Sequence, residues 1–118
     1  MEINLAVIRG PLSSAPEVRA LDSGSTVATL AVRARAGERV TSVPISVWEP
    51  PAWVAELAEG DEVVVLGAVR RRFYRSSGGT GSRVDVEASF IGRAGKRQVG
   101  AVAKRMEATL AELIGDLA

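Results

Sequence analysis

The longest strand the sequence predicts, Glu62 to about Arg75, constrains the fold more than any other feature. Val63, Val65, Val69 and Phe73 point one way; Val64, Leu66, Arg70, Arg72 and Tyr74 point the other. On this reading Phe73 belongs to a core, and Tyr74 lies on a surface beside two arginines. The segment Arg70-Arg71-Arg72-Phe73-Tyr74-Arg75 carries four arginines and two of the five aromatic residues, in a chain whose net charge is only +1. Its charge is therefore local.

Four shorter segments alternate in the same way. Residues 3–12 form the first, with both faces apolar around Ile3, Leu5 and Val7, so that a barrel interior covers one face and a second subunit suits the other. Ser13 to Ser25 is a connection punctuated by Pro16 and Gly24. The second strand, 26–35, sets Ala28, Leu30, Val32 and Ala34 against Thr29, Arg33 and Arg35. After the turn Ala36-Gly37-Glu38-Arg39, the third strand spans about 40–48, with Val43, Ile45 and Val47 opposed to Pro44, Ser46 and Trp48. Pro44 lacks an N–H, which argues for an edge or a bulge there. Pro51 then opens a short helix over Ala52–Glu59, ended by Gly60, with Trp53 on its packing face. The fifth strand runs from Arg83 to about Ile91, with Val84, Val86, Ala88 and Phe90 inward, after a polar tip at Ser76–Gly81.

Five strands with one short helix between the third and fourth predict an all-β chain. The architecture is a five-stranded OB-fold Greek-key barrel, with an SH3-like barrel as the alternative that lacks the helix. Residues 1–93 form the barrel domain, and 94–118 form a linker and an amphipathic C-terminal α-helix. In that helix Val99, Val102, Met106, Leu110, Leu113 and Leu117 step by three and four residues. The stripe needs cover from a second copy, its own barrel or another protein.

Several chemistries are excluded by residue type. The chain has no cysteine and no histidine, so it has no disulfides, no zinc site of the usual kind and no Ser-His-Asp triad. No phosphate-binding Gly-Lys-Ser/Thr loop occurs. The expectation is a non-enzymatic protein with no metal and no cofactor. No apolar run approaches the ~18 residues of a membrane span, and the N-terminus lacks a signal-peptide pattern. A cytoplasmic location follows as an expectation.

Thirteen of the fifteen basic residues are arginine. Arginine grips phosphate bidentately and stacks on planar groups, which lysine does not; a genome biased toward arginine codons yields the same excess. If the strands curl into a barrel, one outer surface gathers Arg33, Arg35, Trp48, Arg70, Arg72 and Tyr74. Cations interleaved with rings suit single-stranded nucleic acid, with little sequence preference. Trp48 serves equally as a core or interface residue on sequence grounds. Arg75 and Arg83 flank the tip and either clamp a strand or solvate it. Glu17 and Arg19 read as a local structural pair.

Three stretches, in order and at their spacing, resemble bacterial single-stranded DNA-binding proteins. They are Asn4-Leu5-Ala6-Val7-Ile8-Arg9-Gly10; Pro16-Glu17-Val18-Arg19 with Gly24 before Val27-Ala28; and Leu57-Ala58-Glu59-Gly60-Asp61-Glu62-Val63-Val64-Val65-Leu66-Gly67. The resemblance covers about residues 3–92. It implies an OB-fold that coats unpaired DNA during replication, recombination or repair, as a homo-oligomer (tetramer or dimer). Tyr74 falls at a stacking tryptophan of the family and Trp48 at a stacking phenylalanine. The first strand falls at the family's subunit contact, so Ile3, Leu5 and Val7, with Met106, Leu110 and Leu113 of the helix, are the expected oligomer interface. The chain departs from the family in a shortened hairpin between the second and third strands, which removes one stacking tryptophan. Another falls at about Ser42, and the acidic C-terminal tip is missing. An oligomeric adaptor recruiting a protein through its helix, and an RNA-binding OB protein, are the competing readings.

Overall fold

The computed structural model describes residues 2–117, without the side chains of Ser76, Asp116 and Leu117. Six strands form one sheet in the order β1-β5-β6-β4-β3-β2. They are β1 Ala6–Pro11, β2 Glu17–Ala20, β3 Thr26–Ala36, β4 Arg39–Trp48, β5 Glu62–Ser76 and β6 Gly79–Arg93. A 3-10 turn covers Ala52–Glu56, and α1 runs Lys96–Leu117. All pairings are antiparallel except β4 with β6, where Ile45 faces Val86 and Ser46 faces Glu87. The sheet folds back on itself beyond β1. Leu12 bridges Val32, and the Ser13 N–H donates to the Ala31 carbonyl at 2.8 Å. This topology is compatible with the OB-fold.

The extra strand corrects the expected five. Glu17–Ala20 lies inside the segment read as a connection, because its polar–apolar alternation lasts only four residues, all of them exposed, among turn formers. Backbone pairing to β3 creates β2, with Glu17 opposite Thr29 and Arg19 opposite Val27. The turn at Ser77–Gly78 is also tighter than the polar tip expected, so β6 starts at Gly79.

The helix expected over 52–59 is instead the single 3-10 turn. Leu57 is already extended (ψ 146°), and its side chain is buried in the core beside Val54. Asp61 explains the stop: its carboxylate accepts the Ala58 N–H at 2.9 Å. The backbone of residues 60 and 61 is tied to Leu12 at 3.0 and 2.9 Å. A chain anchored there has no room for a second helical turn.

The core is filled by Leu12, Leu30, Val32, Ile45, Val54, Val63 and Val65, all essentially inaccessible to solvent. The expected inward sets on β3 and β4 hold. Pro44 lies opposite Ala31, one residue before the β4–β6 pairing begins, so its missing N–H costs no ladder bond on that side.

A bulge separates the two halves of β6. Leu66 faces Phe90, but the next residue, Gly67, faces Ala88, leaving Ser89 without a partner. Its hydroxyl donates to the Leu66 carbonyl at 3.1 Å. The bulge inverts the alternation, so Phe90, expected inward, lies on the outer face and Ile91 turns to the core. There Phe90 packs with Val64, Leu66, Leu5, Val99 and Val102, and α1 docks on the outside of its own barrel. Arg105 lies over the Phe90 ring at 4.7 Å. The rest of the helical stripe is less covered: Leu110 is 37% and Ile114 64% exposed, and Leu117 lies outside the described side chains.

Gly10 lets β1 turn against β3, since a Cβ on it would overlap the carbonyl oxygen of Arg33. Gly10→Ala is therefore expected to lower stability by about 1–3 kcal/mol. Gly100 sits in α1 with open space around its Cα, and Gly100→Ala should raise stability by roughly 0.5–1 kcal/mol through helix propensity. Urea unfolding of the two variants checks both signs.

Candidate nucleic-acid interface

The outer face of the sheet is built in cross-strand rows. Arg19, Val27 and Trp48 lie side by side on β2, β3 and β4, and Glu17, Thr29 and Ser46 form the next row. Ser46 then faces Glu87 on β6. Arg70, Arg72 and Tyr74 alternate along β5 on the same side, with Arg83 opposite Arg72 and Gly81 opposite Tyr74. Trp48 is 38% and Tyr74 51% exposed.

Trp48 stands at the end of β4, and the backbone after it is pinned. Glu49 adopts a left-handed conformation (φ 48°), which a residue with a Cβ holds only under constraint. Its N–H donates to the Thr26 carbonyl at 2.8 Å, and its carboxylate accepts the Thr26 N–H at 2.9 Å. Tyr74 is fixed from below: its ring lies over Gly81, where a Cβ would come within 2.6 Å of the phenol. Glycine at 81 is what allows the ring to lie there.

Arg72 is the hub of the face. Its Nε donates to Asp85 Oδ2 at 2.8 Å and its Nη2 to Ser46 Oγ at 3.0 Å. Nη2 also lies 3.5 Å from Glu87 Oε1, and the guanidinium carbon sits 5.5 Å from the Trp48 ring centroid. One face of Trp48 is thus occupied by a cation. Asp85 is buried at 2% exposure, and its Oδ1 has no hydrogen-bond partner. Arg70 Nη1 donates to Glu87 Oε2 at 2.7 Å. Arg19 and Arg83, by contrast, form no ion pair among the described residues.

Phe73 corrects the sequence reading. Alternation places it on the core side, yet it is 77% exposed, because the β5–β6 hairpin projects past the end of the barrel. Val69 and Val84, on the same side, are each 46% exposed for the same reason. Phe73 joins Glu17, Arg19, Thr29, Arg72, Tyr74 and Arg83 around a cleft of about 470 Å³. A second, smaller cleft places Trp48 with Arg19, Arg72, Arg83 and Asp85.

The remaining sequence candidates divide. Trp48, Arg72, Tyr74 and Arg83 come together, and Arg70 adjoins them through Glu87. Arg33 and Arg35 lie on the same sheet face but farther along, around a separate hollow with Arg9 and Val40. Arg75 alternates to the far side of the hairpin, opposite Thr80. Arg19, read as half of a structural pair with Glu17, lines both clefts; its spacing gave no hint, because only the β2–β3 pairing carries it there. Trp53 packs against the core under Arg93, at 5.3 Å.

No protein-family model matches the chain, and no curated protein sequence matches it. Solved structures do. A deletion mutant of the single-stranded DNA binding protein from Thermus aquaticus superposes with a TM-score of 0.66 at 25% identity, over 80% of this chain and 42% of that one. The wild-type Thermus aquaticus protein gives 0.65 at 24% identity, over 80% and 41%. The chain thus spans less than half the length of the structures it matches. The likeness supports a fold of the single-stranded DNA-binding protein type.

Because Asp85 is buried and holds Arg72 beneath Trp48, Asp85→Ala should destabilise the fold by about 1–3 kcal/mol and shift Trp48 emission toward the red. Thermal unfolding with fluorescence detection in a Trp53→Phe background reads both effects.

Proposed function

We propose that this chain binds single-stranded DNA with little sequence preference, coating it during replication, recombination or repair. One observation carries the reading: Trp48 and Tyr74 rise from a single face among Arg19, Arg72 and Arg83, and Phe73, exposed at the hairpin's edge with the opposite parity, lines the same cleft as Tyr74. Rings accept any unpaired base, and guanidinium groups accept any phosphate, so the arrangement reads backbone and base planes rather than sequence. The face lacks a projecting helix or bidentate base reader of the kind that enters the duplex major groove. Likeness to the Thermus aquaticus single-stranded DNA binding protein supports the same reading. The sites are Trp48, Arg70, Arg72, Tyr74 and Arg83, with Arg19 and Phe73 added. Arg33 and Arg35 extend the path at one end, while Arg75, on the far side of the hairpin, lies off it.

The chain self-associates in this proposal. Ile3, just before the first strand, and Val7 on it are 53% and 41% exposed, and the end of α1 presents Leu110 and Ile114. Leu5 is covered by α1 itself, and Met106 and Leu113 are half-buried, so they contribute from the edge of that surface. The adaptor reading uses the same uncovered helix end with a different partner. Among the described residues no helix is long and apolar enough to cross a membrane, and a cytoplasmic, nucleoid-associated setting belongs to the proposal.

Titration with dT30 at two salt concentrations tests it. Emission of Trp48, in a Trp53→Phe background, should be quenched on binding, and affinity should fall as salt rises, with a slope of about −0.7 per phosphate neutralised. Trp48→Ala and Tyr74→Ala should each weaken binding by about 1–3 kcal/mol. Absence of binding at low salt sinks the reading, and oligo-U competing better than oligo-dT moves it to RNA. Molar mass in solution, with and without Leu110→Asp, tests self-association: the variant should shift the chain toward monomer.

A further inference from the structure

The face is less cationic than its arginines suggest. Glu87 lies in the middle of it, facing Ser46 across the parallel ladder. Its two carboxylate oxygens each meet a different arginine: Oε2 accepts from Arg70 at 2.7 Å, and Oε1 lies 3.5 Å from Arg72. The pair with Arg70 is open to solvent, the side chains being 28% and 56% exposed. A backbone phosphate carries the same charge and presents two non-bridging oxygens in a comparable fork. Asp85, at 2% exposure, is shut away beneath Arg72 and is not open to such exchange.

We propose that Glu87 occupies Arg70 as an internal stand-in for a phosphate and so determines what this face retains. The inference rests on the single-stranded DNA reading above. A phosphate arriving at Arg70 replaces a carboxylate rather than filling an empty site, and it leaves the Glu87 charge facing it. The exchange brings little net free energy. Net binding then comes from bases stacking on Trp48, Tyr74 and Phe73, which only a strand with unpaired bases supplies. At Arg70 polyanions without such bases meet the exchange and gain nothing further, keeping only the contacts of Arg19 and Arg83, which is discrimination by a built-in repulsive element. Asp85 has a different task as a positioning residue, holding Arg72 against the ring of Trp48.

The experiment compares wild-type chain, Glu87→Gln, and Glu56→Gln as a control for net charge, Glu56 being an exposed residue of the 3-10 turn. Anisotropy of labelled dT30, and of an abasic strand of equal length, is measured across a range of salt. Glu87→Gln should bind dT30 about two- to fivefold more tightly at low salt. Its log–log salt slope should steepen by about 0.7, as one more phosphate contact goes uncompensated. It should also bind the abasic strand more tightly than wild type does. Glu56→Gln should match wild type. A Glu87→Gln chain that gains no affinity for dT30 or none for the abasic strand, or a Glu56→Gln chain that gains as much, overturns the inference and leaves the DNA reading standing. Failure of both wild type and Glu87→Gln to bind dT30 at low salt overturns the two together.

Discussion

Ser89 is one residue too many in the β5–β6 ladder, and much of the molecule follows from how the sheet absorbs it. Before the bulge, β6 turns Val86 and Ala88 to the core and Asp85 and Glu87 outward; beyond it, Ile91 takes the inward position and Phe90 the outward one. An apolar ring on the outside of a barrel needs cover. Phe90, Val64, Leu66 and Leu5 together form the patch on which Val102 of α1 settles. The outer surface of the hairpin is thereby divided: one half is occupied by the helix, and the other remains open with Trp48, Arg72 and Tyr74. The hydroxyl of Ser89 satisfies the Leu66 carbonyl, so the irregularity leaves that backbone group bonded.

The open half works by balance rather than by charge. Arg70 and Arg72 are both engaged with carboxylates of the neighbouring strand. Exposed ion pairs contribute little to stability, so the Arg70–Glu87 contact is better understood as organisation of a surface. The Arg72–Asp85 pair is different, because Asp85 is buried and its loss leaves Arg72 without its anchor. Around these neutralised arginines stand the unpaired Arg19 and Arg83 and three exposed rings. In such a surface the net positive charge is smaller than the number of arginines, and the exposed rings make up much of what it presents.

Most of the strands were legible because each buries one face and advertises it by alternation: Ala28, Leu30 and Val32, then Val43, Ile45 and Val47, then Val63 and Val65. Of the site, Trp48, Arg72, Tyr74 and Arg83 were legible as residue types on an outward parity. What failed did so for identifiable reasons. β2 is exposed at every residue and alternates over only four, so Arg19 was missed with it. Phe73 has core parity but lies beyond the end of the barrel. The helix after β4 had an opening proline and Trp53 on its packing face, but the tether of residues 60 and 61 to Leu12 allowed only one turn.

By itself the sequence determined an alternating, cysteine-free and histidine-free chain, with arginine and rings concentrated on one strand and a stripe on a terminal helix. Those are local properties, fixed by residue type and spacing. Only the tertiary structure decided where parity breaks, how far the barrel reaches along β5, and which carboxylates answer which arginines. These depend on pairing register between strands distant in the chain, where one extra residue reverses every side chain that follows. Spacing within a strand carries no information about that register, which is why Glu87 was read only as an outward residue and emerges as a partner of Arg70.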